Sequence, residues 1–108
     1  MRTSRRYNDR EAYQLDAEKG LLYIKQGHDF ETVDLSEVTQ ITFKSQDYWL
    51  PDIYVLWFGY DPVFLNAEEP GADMVRDWAM GLDKFKTDRY QDFLTLAGHG
   101  PIIVWEAN

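Results

Sequence analysis

Residues 47–66 read DYWLPDIYVLWFGYDPVFLN, a stretch with seven aromatic rings and three prolines and glycines acting as punctuation. Its middle, Ile53-Tyr54-Val55-Leu56-Trp57-Phe58, is apolar at every position, so both faces of a strand there would be apolar. Such a strand is usually central in a sheet and covered on both sides. Gly59-Tyr60-Asp61-Pro62 is a turn signal, and Val63-Phe64-Leu65 reads as the returning strand. Pro62 can open that strand only where its missing N–H is not needed. The rings on alternate sides of Trp57 are expected to fill a core between this sheet and helices.

Upstream, the chain reads as an antiparallel meander. Tyr13-Gln14-Leu15-Asp16 and Leu21-Leu22-Tyr23-Ile24-Lys25 flank a turn closed by Gly20, a residue able to take positive φ. A second turn at Gln26–Asp29 leads to Phe30-Glu31-Thr32-Val33. Asp34–Glu37 breaks the alternation. It resumes over Val38–Lys44, with Ile41 and Phe43 on one face and Thr42 and Lys44 on the other.

Downstream, the period changes from 2 to 3.6. Met74, Val75, Trp78, Leu82 and Phe85 fall on one helical stripe, with Asp73, Arg76, Asp77 and Lys84 off it. Glu68, Glu69 and Asp73 near the start, and Lys84 and Lys86 near the end, have the signs the helix dipole favours. Thr87 or Asp88 is placed to cap a second helix carrying Tyr90, Phe93, Leu94 and Ala97 on one face. Gly98 and Gly100 end it, and Pro101–Trp105 reads as a last strand. The expected class is α+β: an antiparallel sheet of about six to seven strands with one or two C-terminal helices on one face. Residues 1–10 are read as a flexible basic arm and residues 11–108 as a single domain.

The strand order, the segment VDLSEVTQITF and the following amphipathic helix resemble bacterial PH-like domains over roughly residues 12–86. Two features depart from that pattern. A second helix and the strand PIIVWEA follow the helix that should finish the fold. Where phosphoinositide-binding members carry basic residues, this chain has the acidic Asp16-Ala17-Glu18-Lys19. A lipid-headgroup function therefore does not follow from the resemblance.

Charge narrows the partners. The chain has 108 residues and a net charge of −8. Residues 1–10 carry +3, with Arg2, Arg5, Arg6 and Arg10 against Asp9, and the remainder carries −11. A body of that sign repels nucleic-acid phosphates and anionic lipid, and attracts a basic protein. No apolar run approaches the ~20 residues of a bilayer span. The start, MRTSRRYNDR, lacks the apolar region of a secretory signal. With no cysteine there is neither disulfide framework nor thiolate zinc site, and the cytoplasm is the expected compartment.

Enzymatic chemistry is not expected. His28 and His99 sit in separate glycine-flanked turns and make no metal-ligand spacing. Ser4, Ser36 and Ser45 lack a nucleophile-elbow context. No phosphate-binding loop, dinucleotide fingerprint or calcium loop is present, and no cofactor is implied. What remains is surface. Asp47, Tyr48, Trp49 and Asp52 form an aromatic, acidic loop of the kind that anchors protein partners, with Asp61, Glu68 and Glu69 as steering charges. Trp49 could equally fold back as a lid on the core edge. In size and charge the chain resembles toxin-immunity proteins, in which carboxylates mimic a substrate's charge and a few rings anchor. The expected function is neutralisation of a basic partner. The alternative is a PH-like module that pairs with its own copy through Trp57 and Trp105, and an aromatic-lined small-molecule pocket is a third reading.

Overall fold

The computed structural model describes residues 12–45, 50–95 and 100–107. Seven strands and two helices follow one another as β1 (Tyr13–Asp16), β2 (Leu21–Gln26), β3 (Asp29–Asp34), β4 (Gln40–Lys44), β5 (Ile53–Phe58), β6 (Asp61–Asn66), α1 (Ala72–Met80), α2 (Thr87–Thr95) and β7 (Ile102–Glu106). The class is α+β, as the change of period implied. The strands divide into two antiparallel sheets, β1-β2-β3 and β6-β5-β4-β7, rather than one. The arm expected over residues 1–10 lies outside the described residues.

The first sheet is a meander because each connection is a short turn. Gly20 takes φ 68°, and the Lys19 N–H donates to the Asp16 carboxylate at 3.2 Å. Asp34 then stops β3: its carboxylate accepts from the Ser36 N–H and hydroxyl, at 3.0 and 2.7 Å. These two donors hold its carboxyl below the usual aspartate range. One 3-10 turn, Leu35–Glu37, follows. The strand expected from Val38 begins two residues later, at Gln40, because Val38 is occupied in closing that turn.

Alternation then decides the core. Ile41 and Phe43 of β4 pair with Leu56 and Tyr54 of β5, which pair with Val63 and Leu65 of β6. These side chains share one cluster with Leu22 and Val33 of the first sheet, Ala72, Val75 and Ala79 of α1, Phe93 of α2, and Ile102 and Val104 of β7. A bulge between Ile41 and Thr42 shifts the β4–β7 register. Burial of the large apolar members contributes about 1.5–3 kcal/mol each.

Helix α1 ends earlier than the apolar stripe implied. It stops at Met80, with Gly81 as its C-cap. Gly81 is the poorest helix former available short of proline. Beyond it, the Leu82 and Phe85 N–H groups donate three residues back, to Ala79 and Leu82, and Lys84 takes φ 71°. Leu82 and Phe85 still pack on the core, but from tight turns. Lys84 and Lys86 consequently do not complement the α1 dipole, and α1 has no basic residue in its last turn. Met74 and Leu94, assigned to buried stripes, are exposed. Helix α2 starts at Thr87, while Ala97 and Gly98 lie outside the described residues.

Tyr13 ties the first sheet to the second. Its hydroxyl accepts from the Asn66 N–H at 2.8 Å, and its own N–H donates to the Pro70 carbonyl at 3.2 Å. Tyr13→Phe strands the Asn66 donor at a half-buried strand end. The expected cost is about 1 kcal/mol, read as a lower urea midpoint with unchanged slope.

Candidate functional site

The second face of the four-stranded sheet is the candidate site. Period 2 sends Gln40, Thr42 and Lys44, then Ile53, Val55 and Trp57, then Pro62, Phe64 and Asn66 away from the core. Register aligns them in rows. Ile103, Thr42, Val55 and Phe64 stand side by side, flanked by a row of Gln40, Trp57 and Pro62 and a row of Lys44, Ile53 and Asn66. The buried apolar side chains of the described helices and of the first sheet belong to the inner cluster, which does not include Val55.

The reading of the central aromatic strand holds in part. β5 is central, and its Tyr54, Leu56 and Phe58 side joins the main core cluster. On the other face Val55 and its neighbour Thr42 are buried too, at 6% and 5% exposure. Trp57 is half-buried on the opposite side, where its indole N–H donates to the Thr42 hydroxyl at 3.2 Å. Phe64, read only as part of a returning strand, is 64% exposed, and Tyr60 in the β5–β6 turn is 99% exposed. Phe64, exposed on the same sheet face as the partly buried Trp57, is the kind of apolar surface that interaction sites use. Thr39 fixes the far end of this hairpin: its hydroxyl donates to the Trp57 carbonyl at 3.1 Å and accepts from the Gly59 N–H at 2.9 Å.

At the near end, the patch runs into a cleft of about 220 Å³ lined by Tyr13, Pro51, Ile53, Phe64, Leu65 and Asn66. Small-molecule and cofactor sites usually hold about 300–1,000 Å³, so this volume suits one inserted side chain better. Backbone hydrogen bonds bring three acidic residues to the same end of the hairpin. The Ala67 N–H donates to the Asp52 carbonyl at 2.9 Å, and the Glu69 N–H to the Asn66 carbonyl at 3.1 Å. Glu68 is held by its N–H donating to the Asn66 side-chain oxygen at 2.8 Å. Glu69 is near enough to Tyr13 to be felt there. Burial, reinforced by that carboxylate and opposed by the Asn66 N–H, pushes the Tyr13 phenol upward.

Of the residues picked from sequence, Asp52, Glu68 and Glu69 are brought together at one end of the β5–β6 hairpin. Asp61 stands at the other end, paired with Phe58 while Ile53 pairs with Asn66. The four are not equally open: Asp52 is half-buried and the other three are exposed. None joins an ion pair among the described residues. Asp47, Tyr48 and Trp49 lie outside the described residues. The sequence reading missed Phe64, Ile53 and Tyr13 as site residues, although the alternation Val63-Phe64-Leu65 already places Phe64 opposite two core positions.

His28 is exposed in its turn, and His99 lies outside the described residues. Among the described residues no group of three His, Asp or Glu side chains is placed to hold a metal ion, and no helix is long and apolar enough to cross a membrane. Comparison with protein-family models, curated proteins and solved structures found no match.

Proposed function

We propose that this chain is an acidic protein-binding domain whose outer sheet face receives a basic partner, as an immunity or inhibitor protein would. The observation that carries the reading is Phe64, exposed in the middle of the hairpin face, with acidic residues at both hairpin ends that join no ion pair among the described residues. A partner would place an apolar side chain against Phe64 and the exposed part of Trp57, and basic side chains against Asp52, Glu68 and Glu69 or against Asp61. The apolar centre supplies affinity, and the acidic rim supplies orientation and encounter rate. Self-association through the same face is the second reading. It is disfavoured at low salt, because two copies bring like net charge together.

Selection from a displayed random-peptide library tests the proposal. Enriched peptides should place Arg or Lys beside an apolar residue. Phe64→Asp should weaken their binding by about tenfold or more, the cost of losing one anchor of 1.4 kcal/mol or larger. Neutral or acidic winners, or winners indifferent to Phe64→Asp, would overturn it. Because Phe64 is exposed, this substitution leaves the fold intact.

A further inference from the structure

A sheet edge left open in a finished fold is a template for another strand. The two sheets have edges at β1, β3, β6 and β7, and three of these are closed. β1 is covered by the segment before α1: the Tyr13 N–H donates to the Pro70 carbonyl at 3.2 Å, and Gly71 lies against the Tyr13 carbonyl. β7 is covered by the turns after α1, where the Lys86 N–H donates to the Val104 carbonyl at 2.7 Å. β6 has Pro62 at one outward position, and its outward Asn66 N–H is bonded to the Tyr13 hydroxyl. β3 is different. It runs six residues in unbroken register with β2 and contains no proline. Asp29, Phe30, Glu31 and Thr32 are all exposed. The Leu35 N–H donates to the Gly20 carbonyl at 2.8 Å, which sets the phase of the ladder. Odd-numbered residues of β3 bond to β2, so the Thr32 N–H and carbonyl point outward. Among the described residues nothing closes on them.

We propose that the β3 edge takes up an extended basic segment of a partner protein as a fourth strand of the meander. Asp29 and Glu31 stand on one face of β3, opposite Gln26 and Ile24 of β2, and neither joins an ion pair among the described residues. Phe30 and Thr32 stand on the other face, opposite Lys25 and Tyr23. The Tyr23 and Phe30 rings meet edge to face there, with centroids 5.2 Å apart. Residues directly opposed across a ladder share a face and touch. The fitting strand therefore carries Lys or Arg opposite Asp29 and Glu31, with a β-branched residue between them opposite Phe30. A basic residue on that second face would meet Lys25 instead. A second copy is a poor occupant, because it brings its own net charge of −8 and the same carboxylates to the edge. The edge and Phe64 belong to different sheets, so this inference and the proposed function fail separately.

The test uses the full chain and a blocked peptide, Ser-Thr-Val-Arg-Ile-Lys, which in antiparallel register sets Val opposite Thr32 and Arg opposite Glu31. Titration should shift the amide resonances of Phe30, Thr32 and Asp34 more than that of Phe64, and slow hydrogen exchange at Thr32. N-methylation of the peptide's valine, whose N–H faces β3, should weaken binding by about tenfold or more. N-methylation of its arginine, whose N–H faces solvent, should change it by less than about threefold. Thr32→Pro removes the outward donor without touching a bond to β2, and should match the valine methylation. Glu31→Lys should weaken binding by about five- to tenfold at low salt, an effect that fades in ~1 M salt. Equal effects of the two methylations, or shifts centred on Phe64, would overturn the proposal. So would protection of the Thr32 amide that grows with protein concentration in the peptide-free chain, which would assign the edge to a second copy.

Discussion

Gly71→Ala is expected to destabilise the chain by about 3–4 kcal/mol, a large share of the 5–15 kcal/mol that holds a typical domain together. Gly71 has φ 95° and caps the N-terminus of α1. A methyl group there would overlap the Tyr13 carbonyl oxygen, a backbone atom that cannot rotate aside. Two costs combine: a backbone conformation that L-residues avoid, and displacement of β1 from α1. Gly59→Ala separates them, since Gly59 has φ 70° with open space around the site. Urea denaturation of both variants should show Gly59→Ala losing about 1–2 kcal/mol and Gly71→Ala losing distinctly more. Equal losses would mean that β1 and α1 separate without cost.

Phe43→Ala is the second large effect. Phe43 is 1% exposed at the centre of an aromatic group. Its ring centroid lies 4.5 Å from Tyr54, 5.3 Å from Phe93 and 5.8 Å from Tyr90. Truncation removes the ring that joins β4 to Tyr90 and Phe93 of α2 and leaves a cavity that neighbouring rings fill poorly. The expected cost is about 3–5 kcal/mol. For a domain of this size that lowers Tm by roughly 15–30 °C. Phe43→Leu should recover more than half of the loss. A fall in Tm below about 5 °C for the alanine variant would show that α2 is not held through this ring.

Much of the fold was legible because alternation and turn chemistry are local. The three strands of the meander, the stop at Asp34 and the β5–β6 hairpin all follow from residues within a few positions of one another. Two things were not local. IYVLWF implies that both sides of β5 are covered, and Val55 is buried as well as Leu56. Which elements cover each side depends on where α1, α2 and the first sheet pack, and nothing in those six residues encodes that. The end of α1 was misread because Leu82 and Phe85 keep helical spacing while leaving the helix. Their burial is real, but tight turns deliver it after Gly81.

The site was legible in its charges and not in its centre. Asp52, Glu68 and Glu69 could be picked as acidic surface, and their convergence depends on Asn66, whose backbone and side chain hold the turn that follows β6. Phe64 was hidden by its composition: a phenylalanine in a strand is ordinarily core. Gly71 was equally invisible, because its role is set by Tyr13, far away in the chain.

The position of β7 bears on how the chain reaches this structure. Its pairing with β4 brings together residues as distant as Gln40 and Glu106, 66 positions apart and joined by a side-chain hydrogen bond of 3.4 Å. The Trp105 indole N–H on the Asp83 carbonyl, at 2.8 Å, and the Lys86 N–H on the Val104 carbonyl, at 2.7 Å, fasten the strand on its other side. Closing so long a loop costs entropy before any bond forms. The meander can therefore assemble early, while β4 waits with an open hydrogen-bonding edge until the last strand arrives. That interval is when β4 is most exposed to pairing with another molecule's strand.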